Sequence, residues 1–247
     1  YKFTDPIDQN GGIIAYSPSS NMIGAAMGSR LTIREIPSLE VHHIYMAVDK
    51  IDKIEFSADS KYILCLILSR TSVQIFSLED PEWKCRITEG VAGLIGARWC
   101  PDSRNVITES DFGIQLTVWS LMDSTSQVIS YPKQTNTSGG NNIASGSNIA
   151  FSDCSRFVAV LHKIDLADHI AVYSMSPWSE ISKFKCKESN NDVMSIQWTP
   201  NSAHIIAISS HLQYKVLIYS SSGELISAYE AYTQMLGIRS ATIHRYP

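Results

Sequence analysis

The sequence has no long hydrophobic run, no basic tract, no paired cysteines and no metal-ligand cluster. Its longest unbroken apolar stretch is Tyr62 to Leu68 (YILCLIL). A membrane-spanning helix needs about 20 such residues, so no span is expected, and no signal peptide is visible. Lys and Arg total 20 against 24 Asp and Glu, a net charge of -4, and the basic residues never run longer than a pair. A nucleic-acid-binding surface shows as a basic stripe or patch, and the linear sequence offers none. The five cysteines, Cys65, Cys85, Cys100, Cys154 and Cys186, are odd in number and contain no C-x-x-C. That excludes a disulfide framework or a zinc knuckle and points to free thiols in a reducing, intracellular compartment.

Catalytic signatures are missing too. There is no G-x-S-x-G elbow and no phosphate-binding loop. None of the seven histidines stands in an H-x-x-x-H or Cys/His cluster. His42 and His43 are adjacent, and on a regular strand they point to opposite faces, which disfavours joint chelation. Cys85 lies between Lys84 and Arg86, but on a strand those charges project away from the thiol, so a nucleophile is not expected there. No cofactor or metal is expected, and the chain does not read as an enzyme.

What the sequence does have is a repeat. Five stretches share an aromatic followed by small and polar residues ending in Ser: YSPSS at Tyr16, FSADS at Phe56, WCPDS at Trp99, FSDCS at Phe151 and WTPNS at Trp198. The steps between the aromatics are 40, 43, 52 and 47 residues, and a degenerate sixth copy falls at Ile243. A second signature keeps pace, with Arg34, Phe76, Trp119, Tyr173 and Tyr219 trailing the aromatics by 18 to 22 residues. Each unit holds four short segments of strand character. In the second unit these are DKIEF, YILCLI, SVQIF and WKCRI, separated by SADS, SRTS and LEDPE. Four strands repeating every ~40–45 residues describe an all-β, WD-type β-propeller.

Five blades are recognisable, over about 13–50, 51–90, 91–133, 149–190 and 193–232, with a sixth begun at 236–247. Residues 1–12 read as a lead-in or an outer strand. The break in mid-repeat reads as an array that continues. The long step is explained by TNTSGGNNIASGSN, residues 135–148, whose Ser, Asn and Gly content marks an inserted flexible loop. The Gly-His dipeptide and the Trp-Asp pair of a standard repeat are absent, so apolar packing is expected to hold the blades in place of a His–Asp network. Glu55 and Arg98, each one residue before its aromatic, are expected to pair between adjacent blades or to line the channel.

The run LEDPEWKCRITEGVAGLI, with RWCPDSRNVI, LTVWSL, ADSKYILC, the YPK at Tyr131 and LQYKVLIYSSSGELISAYEAY…LGIRS (212–240), resembles the WD repeat-containing protein eight family. The resemblance covers nearly the whole chain. It implies a non-enzymatic scaffold at the centrosome, spindle pole or basal body. Such a scaffold binds a coiled-coil adaptor, and in some lineages a minus-end-directed kinesin, to anchor microtubule minus ends and support cilium assembly. A WD adaptor unrelated to microtubules, or a propeller hydrolase with acids gathered at the channel, are the competing readings.

Loop aromatics are the natural candidates for partner contact, because Trp and Tyr dominate interface energetics. They are Trp83 and Trp178, each following a Pro before an outer strand, and Tyr229 and Tyr232 between the fifth and sixth units. The recurrence of the first two favours a packing role for them.

Overall fold

The structure is a computed structural model that describes residues 12–133, 148–186, 192–209 and 215–230, with residues 238, 241 and 243. The lead-in, the 135–148 insertion and the sixth copy lie outside the described residues, apart from Gly12, Asn148 and those three positions.

Among the described residues, twenty strands form five antiparallel four-stranded sheets, each a meander of strands in chain order. The first is β1 (Ile14–Tyr16), β2 (Met22–Met27), β3 (Arg30–Glu35) and β4 (Val41–Met46). The second is β5 (Lys53–Phe56), β6 (Tyr62–Ile67), β7 (Ser72–Ser77) and β8 (Lys84–Thr88). The third is β9 (Gly96–Trp99), β10 (Asn105–Glu109), β11 (Gln115–Ser120) and β12 (Ser126–Ser130). The fourth is β13 (Ile149–Phe151), β14 (Phe157–Ile164), β15 (Ala167–Met175) and β16 (Trp178–Lys185). The fifth is β17 (Val193–Trp198), β18 (His204–Ser209), β19 (Val216–Ser220) and β20 (Leu225–Tyr229). The repeated aromatics all fall on first strands, and the second signature falls on third strands.

The turn after each first strand is built the same way. Ser17, Ser57, Ser152 and Thr199 each accept, through the side-chain oxygen, the backbone N–H five residues on, all at 3.0 Å. The third copy has Cys100 there, and Asp102 Oδ1 takes over, accepting from the N–H of Arg104 and Asn105 at 3.0 Å each. The closing serine is left-handed in every copy, with φ of 59°, 61°, 58°, 55° and 56° at Ser20, Ser60, Ser103, Ser155 and Ser202. Short polar side chains that satisfy their own backbone are what make such a turn affordable.

The chain divides into two compact units, one of residues up to 111 with 116–128, the other of 112–115 and 129 onward. In the first, the first and second sheets share a core of Leu31, Ile33, Tyr45, Phe56, Ile63 and Phe76. The second and third share Leu64, Leu66, Val73, Ile75, Trp99 and Val106. In the second unit, the fourth and fifth sheets bury Leu161, Ile170, Val172, Trp198, Ile205 and Tyr219 together. The middle strands of the second sheet are apolar on both faces because each face meets a different neighbour.

The first-strand aromatic acts as a plug into the preceding sheet. Phe56 lies against Gly24 of the first sheet, so close that a Cβ at Gly24 would stand 3.3 Å from the Phe56 ring and 3.1 Å from Ile63 Cδ1. Trp99 Nε1 donates to the Glu55 carbonyl at 3.0 Å, and Trp198 Nε1 to the Ala150 carbonyl at 2.9 Å. The turns are linked in the same order. The N–H of Ser19 donates to Ser60 Oγ (3.0 Å), that of Asp59 to Ser103 Oγ (2.9 Å), and that of Cys154 to Ser202 Oγ (3.1 Å).

Candidate partner-binding site

The four aromatics expected at an interface fall in different settings. Trp83 is half-buried. Its N–H donates to the Asp80 carbonyl at 3.1 Å, and its ring lies 5.2 Å from that of Tyr62, closing the turn before β8. Trp178 opens β16 beside Met175 and is half-buried; its indole Nε1 is buried without a hydrogen-bond partner in the structure. Tyr229 ends β20 opposite Val216 and is 57% exposed. Tyr232 lies outside the described residues. Trp83 belongs to the first unit, and Trp178 and Tyr229 stand on different sheets of the second, in β16 and β20.

Among the described residues no group of three or more His, Cys, Asp or Glu side chains is placed to hold a metal ion. No helix among them is long and apolar enough to cross a membrane. His42 and His43 do not diverge as expected of a regular strand: their ring centroids are 4.2 Å apart. The cause is a bulge, since His43 pairs with Ile33 while Val41 pairs with the next residue, Arg34, so His42 is the extra residue. Burial pushes the Cys85 thiol up, away from the reactive range. Of the two expectations for Glu55 and Arg98, pairing between sheets is not seen as an ion pair among the described residues. Glu55 holds Lys53 at 2.7 Å and accepts the Trp99 N–H at 3.2 Å. Desolvation lowers Arg98, countered by the carboxylates of Glu109 and Glu55.

Polar wiring other than a His–Asp network accompanies the apolar packing. In the first unit, Glu89 accepts from Thr108 Oγ1 and from Trp119 Nε1 (3.1 Å), and Trp119 Nε1 also reaches Thr108 Oγ1 at 2.8 Å. In the second, Lys133 of the YPK stretch is a hub. Its Nζ donates to buried Asp168 at 2.8 Å, to Asp192 at 2.6 Å and to the Val193 carbonyl at 2.6 Å. Asp168 also accepts the Val193 N–H at 2.6 Å, and Lys163 lies 3.0 Å from its other oxygen. This ties β15 to β17 through the linker that follows β12. His162, buried beside it, lies with Nδ1 3.1 Å from the Ser130 carbonyl; burial, then Lys183, brings its pKa down to about 4.

The exposed apolar side chains follow a pattern the sequence reading missed. In a meander, the connector between second and third strands and the one leaving the fourth strand share one end of the sheet. In the first unit that end carries Val48 (47% exposed), Leu68 (41%) and Val91 (107%). In the second unit it carries Phe112 (75%) and Leu166 (90%). Phe112 and Leu166 also adopt left-handed backbone, φ 59° and 62°. The signal was available as single apolar residues set inside turn sequence: SDFG at Phe112 and DLAD at Leu166.

No family model matches the chain. Over 238 residues, 96% of its length, it is 35% identical to the Mus musculus WD repeat-containing protein WRAP73, and it spans about half of that relative, 49%. The crystal structure of the Myceliophteria thermophila Cps50 (Swd1) beta-propeller domain superimposes with a TM-score of 0.53, at 11% identity, covering 91% of this chain and 74% of that one. Five four-stranded meanders, two repeat signatures in step and these likenesses make the fold a WD-type β-propeller, and the chain is similar to WD-repeat proteins.

Proposed function

We propose that the chain is a non-enzymatic scaffold of the WD repeat-containing protein eight kind, acting at the centrosome, spindle pole or basal body. It binds a coiled-coil adaptor, and in some lineages a minus-end-directed kinesin, and so anchors microtubule minus ends in spindle organisation or cilium assembly. The observation that carries this reading is the PEWKCRITEGVAGL run within a resemblance that extends along nearly the whole chain. The similarity to a curated WD-repeat relative over 96% of the length agrees with it.

The physical design suits such a role. Rigid sheets present short connectors, and the connector ends carry exposed apolar side chains. A coiled-coil partner offers a matching chemistry, an apolar stripe flanked by charge. Phe112, Leu166 and Tyr229, all in the second unit, are the contact residues this reading selects, with Trp83 and Trp178 packing their outer strands. The test is affinity capture of the tagged protein from dividing or ciliated cells. Recovery of a coiled-coil centrosomal protein, lost with Phe112→Ser and Leu166→Ser, is expected. Capture of nuclear or ubiquitin-system partners alone would favour a WD adaptor unrelated to microtubules.

A further inference from the structure

Three exposed apolar side chains of the second unit stand on backbone that such residues avoid. Phe112, Tyr131 and Leu166 are 75%, 68% and 90% exposed, with φ of 59°, 57° and 62°. A left-handed residue carrying a Cβ is strained where glycine is not, and an exposed ring or branch recovers nothing by burial. Leu166 shows the conflict best. Asp165 and Leu166 are the two-residue turn between β14 and β15, closed by the pairing of Ile164 with Ala167, and their φ values are 48° and 62°. A hairpin turn that is left-handed at both positions favours Asn-Gly or Asp-Gly. Here Asp holds the first position, and Leu stands where Gly would serve the fold better. Folding accounts for neither that side chain nor its exposure, which is the mark of a residue kept for contact.

These side chains share one stretch of surface. The Tyr131 N–H donates to the carbonyl of Ile114 at 3.0 Å, two residues from Phe112, and Ile114 is itself 52% exposed. Pro132 pairs antiparallel with His162, which sets Tyr131 toward Lys163, three residues short of Leu166. At the rise of a strand, Tyr131 and Leu166 are then about 10 Å apart. Seven residues of an α-helix rise about the same distance. The backbone here has no ladder to offer an added strand. The Tyr131 N–H is bonded to Ile114, Pro132 has no N–H, and the Lys133 N–H donates to the Leu161 carbonyl at 2.7 Å. A helix satisfies its own backbone and needs only side-chain contacts. The charge has a sign as well. Lys133 and Lys163 are both taken up by Asp168 and Asp192, at 2.6 to 3.0 Å. Asp165, exposed beside Leu166, forms no ion pair among the described residues.

We infer that Phe112, Ile114, Tyr131 and Leu166, with Asp165 at their edge, form the seat of one amphipathic helix of a partner protein. The helix lays its apolar stripe on the four side chains and sets a Lys or Arg, at the margin of that stripe, against Asp165. The inference rests on the scaffold reading above and names the partner's chemistry at that site. It also explains the turn: Leu166 holds a place where it does nothing for the fold because it is an anchor for the helix.

The experiment places the photo-crosslinking residue p-benzoylphenylalanine at position 166 of the natural protein, expressed in its own dividing cells, and identifies the crosslinked peptides by mass spectrometry. The expected product joins position 166 to a segment of another protein whose apolar residues recur every three or four positions beside Lys or Arg. That segment, made as a synthetic peptide, is then titrated against the natural protein and two variants. Leu166→Gly should weaken binding by more than about tenfold while its urea midpoint is no lower than that of the wild type. Asp165→Asn, which keeps a residue suited to the turn, should weaken binding about threefold at low salt and less at high salt. A crosslink to an extended or acidic segment, to a second copy of this chain or to nothing would overturn the inference. So would a peptide that binds both variants as it binds the wild type, or a Leu166→Gly protein that loses binding only because it unfolds. A basic amphipathic helix from a protein foreign to the centrosome would sink the centrosomal reading and leave this inference standing; a protein found at the spindle poles without such a crosslink would do the reverse.

Discussion

Replacing Trp99 by alanine removes a plug, and replacing Tyr16 by alanine removes the same repeat residue where it plugs nothing described. Trp99 is 5% exposed, sits among Leu64, Leu66 and Ile75, and donates its indole N–H to the Glu55 carbonyl at 3.0 Å. Truncation of a buried Trp to Ala costs about 3–5 kcal/mol through lost transfer energy and the cavity left behind. The orphaned carbonyl lies within the sheet-to-sheet seam and adds about 1 kcal/mol. Against a whole-domain stability of about 5–15 kcal/mol, that is a large fraction. Trp99→Phe keeps most of the ring and loses the donor, so it should cost about 1–2 kcal/mol. Tyr16, 66% exposed, should cost no more than about 0.5 kcal/mol in the isolated chain. The assay is urea unfolding of the 247-residue chain and the three variants, followed by far-UV circular dichroism. The predicted order of midpoints is wild type equal to Tyr16→Ala, then Trp99→Phe, then Trp99→Ala. A Tyr16→Ala variant as unstable as Trp99→Ala would refute the reasoning, because the repeat position alone, and not its burial, would then set the cost.

Three further outcomes are expected. Ser103→Ala removes the acceptor for the Asp59 N–H and keeps a Cβ at φ 58°, so it should lose about 1–2 kcal/mol, whereas Ser103→Asn, which tolerates that backbone and retains an acceptor, should lose less; paired denaturation curves decide. Iodoacetamide at pH 7 should modify Cys154 first. Desolvation raises its thiol, but hydrogen bonds from Ser152, Ser202 and Arg156 outweigh it and bring the pKa down to about 6; buried Cys65, Cys100 and Cys186 should react only on unfolding, with peptide mapping as the readout. The Cys154 rate should fall as pH drops through 6. His162 is held neutral, with its pKa brought down to about 4 from an ordinary 6.5, so the unfolded chain binds the extra proton between those values. Its contribution is complete above pH 6.5 and lost as pH falls toward 4, up to about 3 kcal/mol, and His162→Gln should show a shallower decline in stability over that window.

The repeat was legible because each copy spells the same local pattern: an aromatic at the end of the first strand, then a turn whose backbone is satisfied by its own Ser, Thr or Asp. Ser57 capping Tyr62 and Ser152 capping Phe157 depend on residues five apart, and a linear reading sees them. The meanders follow from the same short turns. What stayed hidden depends on long separations or on a single irregularity. Lys133 meets Asp168 and Val193 across 35 and 60 residues, and nothing near YPK announces either partner. Glu89 takes its place beside Trp119 across 30 residues, supplying an acceptor for the indole where a Gly-His pair was sought and not found. The meeting of His42 with His43 turns on one bulge that shifts pairing between Ile33 and Arg34. Of the interface candidates, Trp83 was readable as packing from its recurrence after a Pro. Phe112 and Leu166 were passed over because isolated apolar residues in turns carry no periodic signal.

A scaffold of a microtubule-organising centre must stand at that centre when the cell divides. The protein carrying a fluorescent tag, expressed at its natural level and imaged through mitosis, should form one focus at each spindle pole and persist there when spindle microtubules are depolymerised. A diffuse or nuclear signal throughout division, with no focus at either pole, would contradict it.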